Sequence, residues 1–169
     1  LAKRSLSIVN GYIRHQGKLW DLNIPKEINK IIYSFYKVSL DSNILTEEEN
    51  YKLYEMVLDE LKTQNTVKAL NFELIYRGTE HGFGYKDYWD KCENINPAFV
   101  IIETIGEKVC GGYTSVGFRK DRGTNYRDPD AFIYSLRTND PKYPPRIFKV
   151  IHADTAMAFW NGYLGSFSG

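Results

Sequence analysis

The chain predicts an α+β fold: an antiparallel β-sandwich with one small flanking helix, preceded by a pair of helices. Three observations lead there. Apolar side chains recur at helical spacing in two segments before residue 65. From Phe72 onward, short β-branched and aromatic runs are separated by glycine- and proline-bearing turns. The content of 13 Tyr and 9 Phe suits strand surfaces and a sandwich core.

Residues 5 to 13, with Leu6, Ile8, Tyr12 and Ile13 around Asn10-Gly11, read as a short strand or an extended arm. The first helix is expected over about 24 to 37, because Ile24, Ile28, Ile31, Ile32, Phe35 and Tyr36 stack as one stripe. Asn23 caps it, and Pro25 sits in the first turn, where no N–H is needed. A second helix over about 47 to 63 follows from the capping box Thr46-Glu47-Glu48-Glu49 and from Tyr51, Tyr54, Val57, Leu58 and Leu61. The polar run at 62 to 66 marks a boundary, dividing a helical arm (1–65) from a sandwich (66–169).

Phe72 to Tyr76 is the first sandwich strand. Tyr85, Tyr88, Trp89 and Cys92 are spaced to close one face of a short helix over a sheet, with a binding patch as the alternative use of those aromatics. Ala98–Thr104 and Lys108–Thr114 flank Ile105-Gly106-Glu107, the pattern of a hairpin. Residues 119 to 130 are charged and aperiodic and read as a surface loop. Ala131–Leu136 and Arg146–Ile151 complete the strands, joined by a rigid Pro141–Pro145 connection.

A formal charge of +1 gives no field to gather nucleic acid, and apolar runs of five residues, as in Ala98–Ile102, are far short of the ~20 a spanning helix needs. Nucleic-acid binding and membrane insertion are therefore not expected. Two cysteines and no Asn-X-Ser/Thr sequon fit a reducing, cytoplasmic setting. Cys92 and Cys110 read as buried small hydrophobes, with a redox role as the alternative.

Chemistry-bearing residues do not converge in the sequence. His15, His81 and His152 lie far apart without the spacing of a zinc site; of the three, His81 follows the first strand beside Gly82 and is the one to watch. Ser115 meets only part of a nucleophile elbow, and a glycine-thinned strand with something packed over Gly111-Gly112 explains it better. Asp121, Asp128 and Asp130 fit no calcium loop and are balanced by Arg119, Arg122 and Arg127, the reading of a solvated mixed-charge loop. Glu73 and Glu103, on strands, are expected to face water; working with His81, either supplies the alternative of a small acid–base enzyme. No cofactor, metal or catalytic residue is assigned.

The succession Phe72-Glu73-Leu74-Ile75-Tyr76-Arg77, His81-Gly82-Phe83, Asp90-Lys91-Cys92, Cys110-Gly111-Gly112-Tyr113-Thr114-Ser115 and Asp130-Ala131-Phe132-Ile133-Tyr134-Ser135-Leu136 resembles the TLDc domain family. The resemblance covers about residues 70 to 169. It implies a compact β-sandwich associated with oxidation resistance and a non-enzymatic interaction domain whose partners are proteins, including subunits of the vacuolar-type proton pump. It carries no catalytic residues over, and it marks Tyr76, Phe83, Cys92, Gly112, Tyr113, Ser115 and Phe132 as structural or binding positions. Phe118 stands where the family usually has tryptophan. The glycine-rich end, Gly162 to Gly169, resembles the start of a family turn whose closing strands are expected to be missing, so the sandwich is read as incomplete there. The segment Gly11-Tyr12-Ile13-Arg14 with the helix at 24 to 37 resembles a short helical module found ahead of varied domains, and makes an adaptor binding through its helices a further alternative.

Overall fold

A computed structural model describes residues 5–12, 40, 42–64, 70–119, 124–159 and 166–167. The helix expected at 24 to 37, with Asn23, Pro25 and His15, lies outside them. The segment at 5 to 13 is a strand, β1 (Ser5–Tyr12). Helix α1 (Glu47–Gln64) starts where the capping box places it: Glu49 N–H donates to Thr46 Oγ1 at 3.2 Å, and Thr46 N–H donates to Glu49 Oε2 at 2.9 Å. Then come β2 (Asn71–Arg77), the single turn α2 (Gly78–His81), α3 (Tyr85–Cys92), and the hairpin of β3 (Ala98–Glu103) with β4 (Val109–Thr114). Strands β5 (Thr124–Tyr126), β6 (Phe132–Arg137), β7 (Arg146–Lys149), β8 (Met157–Phe159) and β9 (Ser166–Phe167) follow.

All strand pairs are antiparallel. Six strands form one sheet in the order β2-β1-β3-β4-β6-β7, and three form a smaller one, β5-β8-β9. One side of the large sheet, the helix side, packs Phe99, Ile101, Val109, Tyr113, Phe132, Tyr134 and Leu136 against Leu53, Tyr54, Val57, Leu58 and Leu61 of α1. The far side packs Tyr76, Ala98 and Val100 against Tyr88, Trp89 and Cys92 of α3 and Met157 of β8, with Phe167 of β9 against them. Each fully buried large apolar side chain stabilises by about 1.5–3 kcal/mol, so both layers hold the fold.

Two bulges decide which side chain goes to which core. Opposite β1 the register slips so that Ile8 pairs Tyr76 while Val9 pairs Leu74, leaving Ile75 as an extra residue. Phe72 and Leu74 therefore pack on the helix side, whereas Ile75 and Tyr76 join the far-side cluster. Strict alternation would have sent Tyr76 with Leu74. Opposite β4, Val109 pairs Arg137 and Cys110 pairs Ser135, so Leu136 is extra and both Leu136 and Arg137 turn toward α1.

Three expectations change. The loop at 119 to 130 contains β5, whose partner β8 lies some thirty residues on and leaves no local signature. The last predicted strand ends at Lys149 rather than Ile151. The division at residue 65 does not coincide with a break in packing, because β1 lies within the sheet and α1 buries its apolar face in the same core.

Arg137 fastens α1 to the sheet. Its Nε and Nη2 donate to the two oxygens of Glu49 at 2.6 and 2.7 Å, and Nη1 donates to Glu103 at 3.0 Å. Nη1 also reaches the Glu107 carbonyl at 3.0 Å, and Nη2 the Ile44 carbonyl at 3.1 Å. These hydrogen bonds hold the Glu49 carboxyl down to about 2 from 4.5, against the opposing effect of burial. Arg137→Met should cost about 2–4 kcal/mol, lowering the midpoint of thermal unfolding by roughly 4–16 °C. A folded-state value below the unfolded one stabilises above the unfolded value, so Glu49 should contribute fully above pH 4.5 and lose its contribution as pH falls toward about 2. Urea titrations across that window should show this limb flattened in Glu49→Gln.

Candidate functional site

The residues singled out from the sequence are distributed over both cores and one loop. Tyr76 hydroxyl donates to the Gly82 carbonyl, and its ring meets Tyr88 edge-on at 5.5 Å and His81 at 5.8 Å. His81 is held in turn, since Nδ1 accepts the Arg77 N–H at 2.9 Å. Phe83 is 57% exposed, with its ring laid over Gly78, where any Cβ would collide with it. Cys92 is fully buried, and burial pushes its thiol up to about 12, with Lys91 only partly opposing. Tyr113 stacks on Phe132 at 5.2 Å on the helix side.

The two adjacent glycines of β4 show why they are glycines. A Cβ on Gly111 would sit 1.8 Å from the Val100 carbonyl oxygen, and one on Gly112 would enter the ring of Phe167. Missing side chains here let Tyr134 hydroxyl donate to that same Val100 carbonyl at 2.8 Å on one side, and let the small sheet close down on the other. Of the small-helix aromatics, Tyr88 and Trp89 are buried and Tyr85 is partly so. Phe118 packs edge-on against Tyr88 at 5.7 Å.

Ser115 serves a structural knot with Asp128, which corrects the reading of Asp128 as a solvated loop residue. Asp128 is fully buried. Its Oδ2 accepts Thr114 Oγ1 at 2.6 Å and the Ser115 N–H at 2.8 Å, and Oδ1 accepts Ser115 Oγ at 2.6 Å. A buried carboxylate with this many donors clamps the exit of β4 to the segment before β6. Sequence charge balance missed it because the donors are hydroxyls and backbone of another strand. The pairing of Ser115 with a carboxylate, without an intervening imidazole, provides no activated nucleophile.

The groups weighed for acid–base chemistry are kept apart. Glu103 lies on the helix side, bound to Arg137. His81 stacks on Tyr76, which belongs to the far-side core. Glu73 is exposed on β2, four residues or about 13 Å of strand from Arg77, whose amide holds His81. Among the described residues no group of three or more His, Cys, Asp or Glu converges to hold a metal ion.

What remains open is apolar surface. The small sheet and α3 cover the far side at Tyr76, Ala98 and Val100, but Ile102 near the end of β3, and Ile133 and Phe148 toward β7, are 36, 45 and 39% exposed. Ile133 and Phe148 are direct cross-strand partners. A groove of about 210 Å³ runs beside them, walled by Ile151, Ala156 and Phe167. Cys110, on this same side of β4, is half-buried, and burial raises its thiol. Alkylation with iodoacetamide in native buffer should therefore modify Cys110 slowly and leave Cys92 intact until denaturant is added; peptide mass mapping reads both sites.

No helix among the described residues is long and apolar enough to cross a membrane. No curated protein and no solved structure matches the chain. The family model for the TLDc domain matches residues 38–164, taking in α1 as well as the strands that carry the resemblance. With that match over most of its length and an α+β fold of antiparallel sheets and few helices, the chain belongs to the TLDc domain family.

Proposed function

We propose that this domain works by binding other proteins, as a non-enzymatic cytoplasmic component of oxidative-stress protection, and that regulation of the vacuolar-type proton pump is the setting in which it does so. The family is linked in general to oxidative stress and protein interaction. The observation that carries the reading is the exposed apolar strip of Ile102, Ile133 and Phe148 with its groove, a surface that a partner would cover. The polar groups that sequence analysis marked for chemistry fit the same reading, since Asp128, Ser115, Glu103 and His81 are engaged in holding loops and helix in place.

An adaptor role for the helices is the weaker reading for α1, whose apolar stripe is spent on the core. Its outward residues, such as Lys52 and Asp59, are charged. Affinity capture with the tagged protein from cells under peroxide stress should recover proton-pump subunits or stress-linked proteins. Recovery should survive Lys52→Glu with Asp59→Lys and fall with Ile133→Asp. Capture of neither class of partner would remove the proposed role, and loss on the helix substitutions alone would favour the adaptor.

A further inference from the structure

The edge strand β7 and the groove beside it specify the kind of partner. Among the described residues β7 pairs with β6 alone and ends the sheet, so its outer backbone groups face away from every described strand and can receive another. Pro144 and Pro145 stand immediately ahead of it and lack N–H groups, which confines pairing to Arg146–Lys149. On the far side of β7, Phe148 lies beside the groove and the Arg146 guanidinium stacks over its ring at 4.4 Å. A groove of about 210 Å³ is smaller than the roughly 300–1,000 Å³ of sites for whole small molecules. It fits side chains.

Charge then selects among occupants. Residues 141 to 153 hold Lys142, Arg146 and Lys149 and no carboxylate. Lys149 is taken by Glu60 of α1 at 2.8 Å on the helix side. Arg146 lies on the other side, in the cross-strand row Ile102, Cys110, Ser135, Arg146, which contains no acid. A second copy of the chain is a poor occupant, because antiparallel pairing of two such edges about Ile147 sets Arg146 opposite Phe148 and brings no carboxylate to it.

We propose that β7 receives an extended, acidic segment of a partner protein as an added strand, with an apolar side chain of that segment entering the groove beside Phe148 and a carboxylate two residues away meeting Arg146. The pattern is acid-X-apolar in either direction, set by the two-residue spacing of one strand face. This rests on the protein-binding reading above and narrows it to one edge and one partner chemistry.

The probe is a fluorescein-labelled peptide of about eight residues, the length of an ordinary strand, carrying alternating Glu and Val on one face and Thr on the other, beside a twin with Lys for each Glu. Fluorescence anisotropy at low salt should show binding of the Glu peptide and not the Lys peptide. Arg146→Glu should weaken the Glu peptide about 10-fold and transfer preference to the Lys peptide, Arg146→Gln should weaken it less, and Phe148→Thr should weaken it without changing charge preference. Hydrogen exchange should show the outward-facing β7 amides, those not donated to β6, fast in the free chain and slowed by peptide.

Equal binding of both peptides, or indifference to Arg146→Glu, would overturn the assignment. So would outward-facing β7 amides already protected in the free chain, which would place a segment of the same polypeptide there, or a dimer displaced by peptide, which would place a second copy there. If Arg146→Glu protein still captures the same cellular partners, this edge is wrong and the interaction reading stands; if the unaltered protein binds peptide but captures no partner, the reverse holds.

Discussion

The placement of the helix on the sheet depends on one guanidinium. Arg137 makes five hydrogen bonds to three parts of the chain: the segment leading into α1, the first turn of α1, and the β3–β4 hairpin. Glu49 Oε2 accepts both the Thr46 N–H of the helix cap and Arg137 Nη2 while Oε1 accepts Nε, so the residue that caps the helix also docks it onto the sheet. A lysine would bring the charge without the planar fork that reaches two oxygens of Glu49 and two carbonyls at once. Core packing supplies most of the stabilisation, while Arg137 decides where α1 sits.

The two sides of the large sheet are electrostatically unlike. Carboxylates Glu49, Glu60 and Glu103 gather on the helix side, where Arg137 and Lys149 engage them. The far side has aromatics at one end and, at the other, an apolar strip bordered by Arg146. A helix therefore packs over the core of one side, while the other is left part open at a defined end.

Features encoded by neighbouring residues were legible in the sequence. The capping box and stripe of α1, the 98 to 114 hairpin and the short aromatic helix each rest on contacts within a few positions, and each lies where its spacing puts it. The family, too, was legible in the order of motifs. What escaped depends on distant partners: β5 has meaning only beside β8, Asp128 only beside Thr114 and Ser115, and Arg137 only beside Glu49. The open strip also escaped, because Ile133 and Phe148 look like core residues until the neighbouring layer is seen to stop short of them. Sequence reading favoured single residues with familiar chemistry, and the candidate site turned out to be a surface.

The bulge at Ile75 makes the length of β2 a structural parameter in its own right. One residue fewer would return Tyr76 to the side occupied by Leu74, taking its ring from Tyr88 and its hydroxyl from Gly82. Composition would be nearly untouched, yet the layer built on α3 would lose its central pillar. Conservative exchanges along this strand are consequently far gentler than any deletion or insertion, and variation in chain length is best accommodated in the turns.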